Sequence, residues 1–182
     1  ILTNGSGAYG VTIAEHMVMV TLMMLRRYPE YYDFVQTKQF RSDLMIGSIY
    51  DATIVICGTG DIGSNFARRL RAFLPAKIIG VNRSGEKKSE IYDEVHPVTE
   101  LDTYLPEADI VTMSLPETLE TQNVLSAERI ALMKEGAYLV NGTELIAESD
   151  AMADGGARLQ AACGRKVTKE EAEQGTIAYG IL

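Results

Sequence analysis

Three closely spaced glycines are the residues whose type and spacing point most directly to chemistry: Gly58, Gly60 and Gly63. They follow an apolar run at residues 53–57 and precede a helical pattern that begins near residue 62. In such a unit the first glycine permits a tight turn, the second lets a phosphate approach the backbone, and the third allows close packing of helix on strand. The helix N-terminus then presents free N–H groups and a positive dipole end to an anion. The loop therefore predicts a site for the pyrophosphate of a dinucleotide.

The residues at the end of the second predicted strand bear on which dinucleotide binds. An acidic residue about 20 positions after the glycines would accept hydrogen bonds from the adenosine ribose and favour NAD. This chain has Asn82, Arg83 and Ser84 at that point. Such groups can bind a 2′-phosphate through charge-assisted hydrogen bonds, whereas a carboxylate would repel it. The hypothesis is a preference for NADP over NAD; in the alternative, Arg83 stacks on adenine and either cofactor binds.

The order of apolar runs and helical patterns predicts the fold that positions these residues. Nearly continuous apolar runs, typical of strands covered on both faces, occupy residues 53–57, 77–81, 110–114 and 137–140. Helical patterns occupy residues 62–73, 101–105 and 127–133. This alternation predicts an α/β fold with a doubly wound parallel sheet of the Rossmann type. The dinucleotide-binding domain is expected to span residues 1–150, and residues 151–182 form a tail with no predicted place in the sheet.

An apolar helix is predicted over residues 11–28, ahead of the first strand. Thr12 and Glu15 have the spacing of an N-terminal capping box, and residues 17–25 are apolar almost all round. A helix of this kind must be buried on several sides, either in its own domain or against a second subunit. Pro29 suits the first turn of a further short helix that reaches about residue 40.

Charge, hydropathy and cysteine content exclude several classes of function. The 182-residue chain has a formal net charge of −8, so a nucleic-acid backbone would be repelled. Its longest apolar stretch is shorter than the roughly 20 residues that span a bilayer, and no secretion leader is expected. Cys57 and Cys163 have no metal-binding or redox spacing. As buried thiols they fit a reducing compartment, which predicts a cytoplasmic protein without a membrane or nucleic-acid partner.

A series of ordered motifs across about residues 2–141 resembles a single family. In chain order the motifs are TNGSGAYG at 3–10, AEH at 14–16, the glycine loop, DEV at 93–95, ADI at 108–110, SLP at 114–116, ET at 120–121 and ALMKEGA at 131–137. In these motifs the chain resembles the cofactor domain of the D-isomer-specific 2-hydroxyacid dehydrogenases. The resemblance implies an oxidoreductase that transfers hydride between a nicotinamide cofactor and a small 2-hydroxy or 2-oxo acid.

The same resemblance implies places for individual residues around the cofactor. The residues implied at the pyrophosphate are Gly58, Gly60, Asp61, Ile62 and Gly63. Those implied at the adenosine are Asn82, Arg83 and Ser84. Those implied towards the nicotinamide are Leu115, Pro116, Thr121 and Asn141. The family commonly dimerises through its first helix, which here is the helix predicted over residues 11–28. The resemblance therefore also implies a homodimer.

The catalytic residues of the family have no identifiable counterparts in this chain. In the family an Arg after the fourth matching strand binds the substrate carboxylate, and a later Glu–His pair transfers the proton. The corresponding stretch here runs from Asn141 to Glu144 without an Arg, and no His follows His96. His96 fits a surface or strand position, and His16 fits a packing position. No catalytic residue or metal ligand is assigned, and the substrate domain is expected to be largely absent from this chain.

Two other functions stay open at the level of sequence. A non-catalytic dinucleotide-sensing or dimerisation module would keep the glycine loop and lack the Arg, Glu and His. A methyltransferase would use a glycine-rich first turn for S-adenosylmethionine, although the resemblance extends far beyond that loop. An Arg and a downstream Glu–His pair in the complete reading frame would exclude the module.

Overall fold

The computed structural model describes residues 7–116, 118–121 and 123–142, and its centre is a five-stranded parallel sheet. The strands are β1 (Thr53–Cys57), β2 (Lys77–Asn82), β3 (Glu94–Pro97), β4 (Ile110–Met113) and β5 (Tyr138–Asn141). Their order in the sheet is β3-β2-β1-β4-β5, and all four pairings are parallel. The chain thus builds outward from β1 on one side and then on the other, which opens a crevice at the carboxyl end of β1. The doubly wound sheet is confirmed.

Five helices accompany the sheet in the described part of the chain. They are α1 (Gly10–Leu25), α2 (Tyr28–Gln36), α3 (Asp61–Leu70), α4 (Leu101–Tyr104) and α5 (Ala127–Leu132). Short 3-10 turns extend α3 and flank α4, at Arg71–Phe73, Val98–Glu100 and Leu105–Glu107. Among the described residues, no helix combines the length and apolarity needed to cross a membrane. The predicted tail at residues 151–182 lies outside the described residues.

The two faces of the sheet bury separate hydrophobic clusters. Successive residues of a strand point to opposite faces, so Ile54 and Ile56 pack with Met17 of α1 and Phe66 of α3. Val55 lies on the other face and belongs to a cluster with residues of α4, β4 and β5. Because helices cover both faces of the sheet, the residues of β1 that point to either face are apolar. This explains the continuous apolar runs that predicted β1, β2, β4 and β5.

The first helix begins earlier and ends earlier than the predicted range of residues 11–28. It runs from Gly10 to Leu25, and the capping-box prediction was wrong, because the residue before its first turn is Tyr9. The Thr12 hydroxyl lies inside the first turn and donates to the Tyr9 carbonyl oxygen at 3.1 Å. One face of α1 packs on α3 and β5 of its own domain. One face of the helix is therefore buried within its own domain.

Strand β3 at the edge of the sheet is absent from the apolar runs found in the sequence. Its residues are all half-buried, and the polar residues Glu94 and His96 interrupt the apolar run that marked the other strands. His96 on this strand stacks on Tyr104 with ring centroids 4.3 Å apart. Its two ring nitrogens lie 3.1 Å from Glu94 Oε2 and 3.4 Å from Glu100 Oε2. These contacts place His96 in a strand, away from the glycine loop, as its sequence context indicated.

Thr112 on β4 carries a buried hydroxyl for which the described residues offer no hydrogen-bond partner. An unpartnered hydroxyl of this kind costs about 1–3 kcal/mol. We expect Thr112→Val, which keeps the shape and removes the hydroxyl, to raise the free energy of unfolding by about 1 kcal/mol in a denaturant titration.

Thr21→Val is the matched control for this prediction. The Thr21 hydroxyl is equally buried but donates to the Met17 carbonyl oxygen at 2.7 Å. Its removal should lower the free energy of unfolding, because a hydrogen bond made in the folded state is lost. A loss of stability in Thr112→Val as large as that in the control would contradict the prediction.

Candidate functional site

The glycine loop lies at the carboxyl end of β1, at the centre of the sheet. Gly58 has a φ of +105°, a conformation that side chains rarely adopt. A methyl group on Gly58 would also lie closer than 3.0 Å to the backbone carbonyl oxygen of Ser114, just after β4. The first glycine is therefore required both by its backbone conformation and by the neighbouring strand.

The third glycine allows α3 to approach the loop. A methyl group on Gly63 would lie closer than 3.0 Å to the carbonyl oxygen of Gly58. The hydroxyl of Ser114 donates to that same carbonyl oxygen at 2.8 Å and to the Cys57 carbonyl oxygen at 3.2 Å. Ser114 belongs to one of the sequence motifs, but the motif does not indicate this contact. The available signal was a polar residue at the end of an otherwise apolar run.

The second glycine faces open space. A methyl group on Gly60 would meet no other atom within 4 Å, and Gly60 is the residue that precedes the first turn of α3. The free N–H groups at the start of α3 can reach an anion that approaches through this space. Gly58 and Gly63 are required by packing, whereas Gly60 is not. This combination fits a loop shaped for a pyrophosphate.

The two residues that follow Gly60 have different surroundings. Ile62 is half-buried and packs against the core cluster on the α1 side of the sheet. The carboxylate of Asp61 lies against the start of α1, where a methyl group on Gly10 would be closer than 3.0 Å to it. It also accepts a hydrogen bond from Asn65 Nδ2 at 3.0 Å. The side chain of Asp61 is thus held beside α1.

The side chain of Asn82 organises the turn that follows β2. Its Oδ1 accepts from the backbone N–H groups of Ser84 at 3.1 Å and Gly85 at 2.7 Å. Its Nδ2 donates to Thr59 Oγ1 at 2.9 Å and to the Glu86 carbonyl oxygen at 3.1 Å. Asn82 therefore ties the turn to the glycine loop, a role that sequence analysis missed because its partner Thr59 is distant in the chain.

The cationic side chains of the same turn are each paired with an acid. Arg83 Nη2 lies 3.2 Å from Glu120 Oε1 in the loop that follows β4, and both side chains are largely exposed. Two further pairs join the lysines of the turn to glutamates within it, Lys87 with Glu90 and Lys88 with Glu86. Since β2 and β4 flank β1, the Arg83–Glu120 pair joins the two sides of the crevice.

The remaining predicted residues follow β4 and β5. Leu115 packs against the cluster on the α4 side, and Pro116 is exposed. The hydroxyl of Thr121 donates to the Pro116 carbonyl oxygen at 2.6 Å and accepts from the Thr118 N–H at 2.8 Å, which closes the loop. Asn141 is the last residue of β5. The parallel strands thus bring all twelve predicted residues to the same edge of the sheet, the one formed by the carboxyl ends of the strands.

The described residues near this edge offer no nucleophilic or metal chemistry of their own. The Cys57 thiol is fully buried, and burial raises its pKa to about 12, so it stays protonated. Within residues 7–116, 118–121 and 123–142, no three His, Cys, Asp or Glu side chains converge to hold a metal ion. What this part of the edge offers is an open helix N-terminus, a shaped loop and exposed polar side chains.

Comparison with known proteins agrees with this geometry. Residues 18–152 match the model of the family described as D-isomer specific 2-hydroxyacid dehydrogenase, NAD binding domain. A D-specific alpha-keto acid dehydrogenase of Enterococcus faecium is 34% identical over 131 residues, which cover 71% of this chain and 38% of that protein.

Two solved structures share the fold. An NAD-dependent formate dehydrogenase from Staphylococcus aureus, in complex with NAD, has a TM-score of 0.71 and 27% identity over 82% of this chain and 45% of its own. A D-lactate dehydrogenase from Aquifex aeolicus, complexed with NAD and lactic acid, has a TM-score of 0.68 and 30% identity over 80% of this chain and 44% of its own. The chain spans less than half the length of each relative. It belongs to the D-isomer specific 2-hydroxyacid dehydrogenases and contains the NAD-binding domain of that family.

Proposed function

We propose that the protein carrying this chain transfers hydride between a nicotinamide dinucleotide and a small 2-hydroxy or 2-oxo acid, and that this domain binds the dinucleotide. The single observation that carries the proposal is the open space in front of Gly60, at the start of α3. The names of the relatives support the reaction class, since one of them is a D-lactate dehydrogenase complexed with NAD and lactic acid. The nicotinamide ring supplies the hydride chemistry when bound, and the domain binds and orients it.

The pyrophosphate is assigned to the start of α3. Backbone N–H groups and the positive end of the helix dipole attract an anion there without adding a charged side chain. Asp61, the one acidic residue in the first turn, directs its carboxylate to Asn65 and the start of α1. Its negative charge is therefore partly compensated by the Asn65 amide and does not occupy the space in front of Gly60.

Gly60→Ala tests this assignment. The backbone of Gly60 has a φ of −74°, which alanine adopts readily, and its methyl group would meet no protein atom. We expect unchanged or slightly higher stability together with at least tenfold weaker NADPH and NADH binding, about 1.4 kcal/mol, because the methyl group enters the space used by the pyrophosphate. Fluorescence titration and thermal unfolding measure the two effects.

Gly63→Ala is the contrasting variant. Its methyl group would collide with the Gly58 carbonyl oxygen, so the protein should lose stability rather than binding alone. If Gly60→Ala bound both dinucleotides as tightly as the parent protein, the pyrophosphate assignment would be wrong.

We further propose a preference for NADP over NAD. Strand β2 does not end in an acidic residue. A carboxylate there would accept hydrogen bonds from the ribose hydroxyls of NAD and repel a 2′-phosphate. Arg83 and Ser84 are both exposed at this point, and a guanidinium beside a hydroxyl suits a phosphate. Asn82 supports the preference indirectly, because it holds the turn that presents these two residues.

Initial rates of cofactor oxidation in the full-length protein test both the reaction class and the preference. With glyoxylate, hydroxypyruvate or pyruvate as the second substrate, we expect oxidation of NADPH with a kcat/KM at least several-fold above that for NADH. Equal or better use of NADH would refute the NADP preference alone. No oxidation of either cofactor with any of these acids would argue against a reductase and favour the non-catalytic module.

We also propose that the protein is a homodimer and that α2 and the connector after it contribute to the interface predicted for residues 11–28. Helix α2 buries none of its residues, and large apolar side chains are exposed along residues 28–46. Phe40 and Met45 have relative exposures of 91% and 86%. Met19 on the outer face of α1 is also exposed, at 46%. Exposed large apolar side chains concentrated in one stretch of the chain are typical of a protein–protein interface.

Phe40→Asp with Met45→Asp should convert the dimer to a monomer, because two desolvated carboxylates would enter the interface. Leu74→Asp is the control, since Leu74 is also an exposed apolar residue, in the turn after α3. Sedimentation equilibrium of the three proteins measures the effect. A monomeric parent protein, or a double variant that remains dimeric, would contradict the proposal.

A cytoplasmic location completes the proposed function. Cys57 is a free thiol buried at the centre of the sheet, with its pKa raised to about 12 by burial. Free thiols persist most readily in reducing compartments such as the cytoplasm.

A further inference from the structure

The ion pair between Arg83 and Glu120 is a feature of the crevice that the proposed function leaves unexplained. Arg83 immediately follows β2, and Glu120 lies in the loop that follows β4. Strands β2 and β4 are both neighbours of β1, so their ends are about 10 Å apart. Two long side chains are needed to span this distance, and together they cross the crevice at the carboxyl end of β1.

In this pair, Glu120 contacts the same Arg83 guanidinium that is proposed to bind a 2′-phosphate. A phosphate at Arg83 would either displace the Glu120 carboxylate or lie within a few ångströms of a second negative charge. Other cations of the turn do not offset this charge, because Lys87 and Lys88 are already paired with Glu90 and Glu86. The three cations of this part of the crevice are thus matched by three carboxylates.

An exposed ion pair of this kind can open. The Arg83 and Glu120 side chains have relative exposures of 85% and 67%, so solvent screens their attraction. A dianionic phosphate competes well for the guanidinium, because it offers more negative charge and three acceptor oxygens. The ion pair should therefore reduce, without preventing, binding of a phosphate at Arg83.

We propose that Glu120 is a specificity-determining residue that lowers the affinity for 2′-phosphorylated dinucleotides by holding Arg83. The 2′-phosphate of NADP competes with Glu120 for Arg83, whereas binding of NAD leaves the Arg83–Glu120 pair closed. This inference rests on the proposed contact between Arg83 and the 2′-phosphate. It assigns to Glu120, a residue on the opposite side of the crevice, control over the ratio of the two affinities.

The test compares Glu120→Gln, Arg83→Gln and the double variant in the full-length protein, by fluorescence titration with NADPH and with NADH. Glu120→Gln should tighten NADPH binding by about two- to fivefold, the strength of an exposed ion pair, and leave NADH binding unchanged. Arg83→Gln should weaken NADPH binding. In the Arg83→Gln background, Glu120→Gln should lose most of its effect, because the pair it releases is already absent.

Glu15→Gln is the matched control. Glu15 forms a similar pair with Arg69 at 3.0 Å, and Arg69 is nine residues beyond Gly60, about 13 Å along α3. This variant removes the same charge from the protein and should leave both dissociation constants unchanged. Thermal unfolding of every variant checks that the fold is intact.

The possible results separate this inference from the proposed function. If Arg83→Gln weakens NADPH binding but Glu120→Gln leaves it unchanged, the role of Glu120 is overturned and the NADP preference stands. If Arg83→Gln leaves NADPH binding unchanged, the contact with the 2′-phosphate is overturned, and the role of Glu120 falls with it. Equal tightening of NADPH and NADH in Glu120→Gln, or the same tightening in Glu15→Gln, would show a general charge effect and overturn the inference.

Discussion

The close approach of Gly63 to the carbonyl oxygen of Gly58 is the contact on which the candidate dinucleotide site depends. It lets α3 start directly at the end of β1, with no side chain between the helix and the loop. The Ser114 hydroxyl binds the same carbonyl oxygen from the neighbouring strand, so the loop is held from both sides. An open helix N-terminus in the middle of a parallel sheet follows from this packing. The space in front of Gly60 stays open because Gly58 and Gly63 let the loop and α3 pack closely together.

The contact also determines how the second strand joins the site. Because the loop is fixed by β1 and β4, Thr59 can present its hydroxyl to Asn82 at the end of β2. Asn82 in turn holds the backbone of the turn that carries Arg83 and Ser84. An aspartate at this position would keep the acceptor and lose both amide donors. Asn82, whose neutral side chain supports the proposed preference for NADP, therefore also links the turn after β2 to the loop after β1.

The sequence contained enough information to predict most of the sheet and the edge of the site, for identifiable reasons. Strands β1, β2, β4 and β5 are apolar on both faces, and the glycine spacing marks the tight turn between β1 and α3. Strand β3 was missed because an edge strand is polar on its exposed side. The start of α1 was placed one residue too late because Thr12 and Glu15 have the spacing of a capping box, whereas no side chain of the described residues caps this helix. The Arg83–Glu120 pair was missed because nothing local to either residue indicates the other.

The acidity of the chain is compatible with an anionic ligand because the site does not rely on net charge. The formal charge of −8 is spread over the whole sequence, and the turn after β2 is close to neutral through its ion pairs. Oriented backbone N–H groups at the start of α3 can attract a pyrophosphate over a few ångströms and need no unpaired cation. An additional phosphate on the adenosine is different, because in our proposal the exposed guanidinium of Arg83 binds it. On the proposed assignments, backbone groups supply affinity that both dinucleotides share, and the side-chain charges after β2 and β4 decide between them.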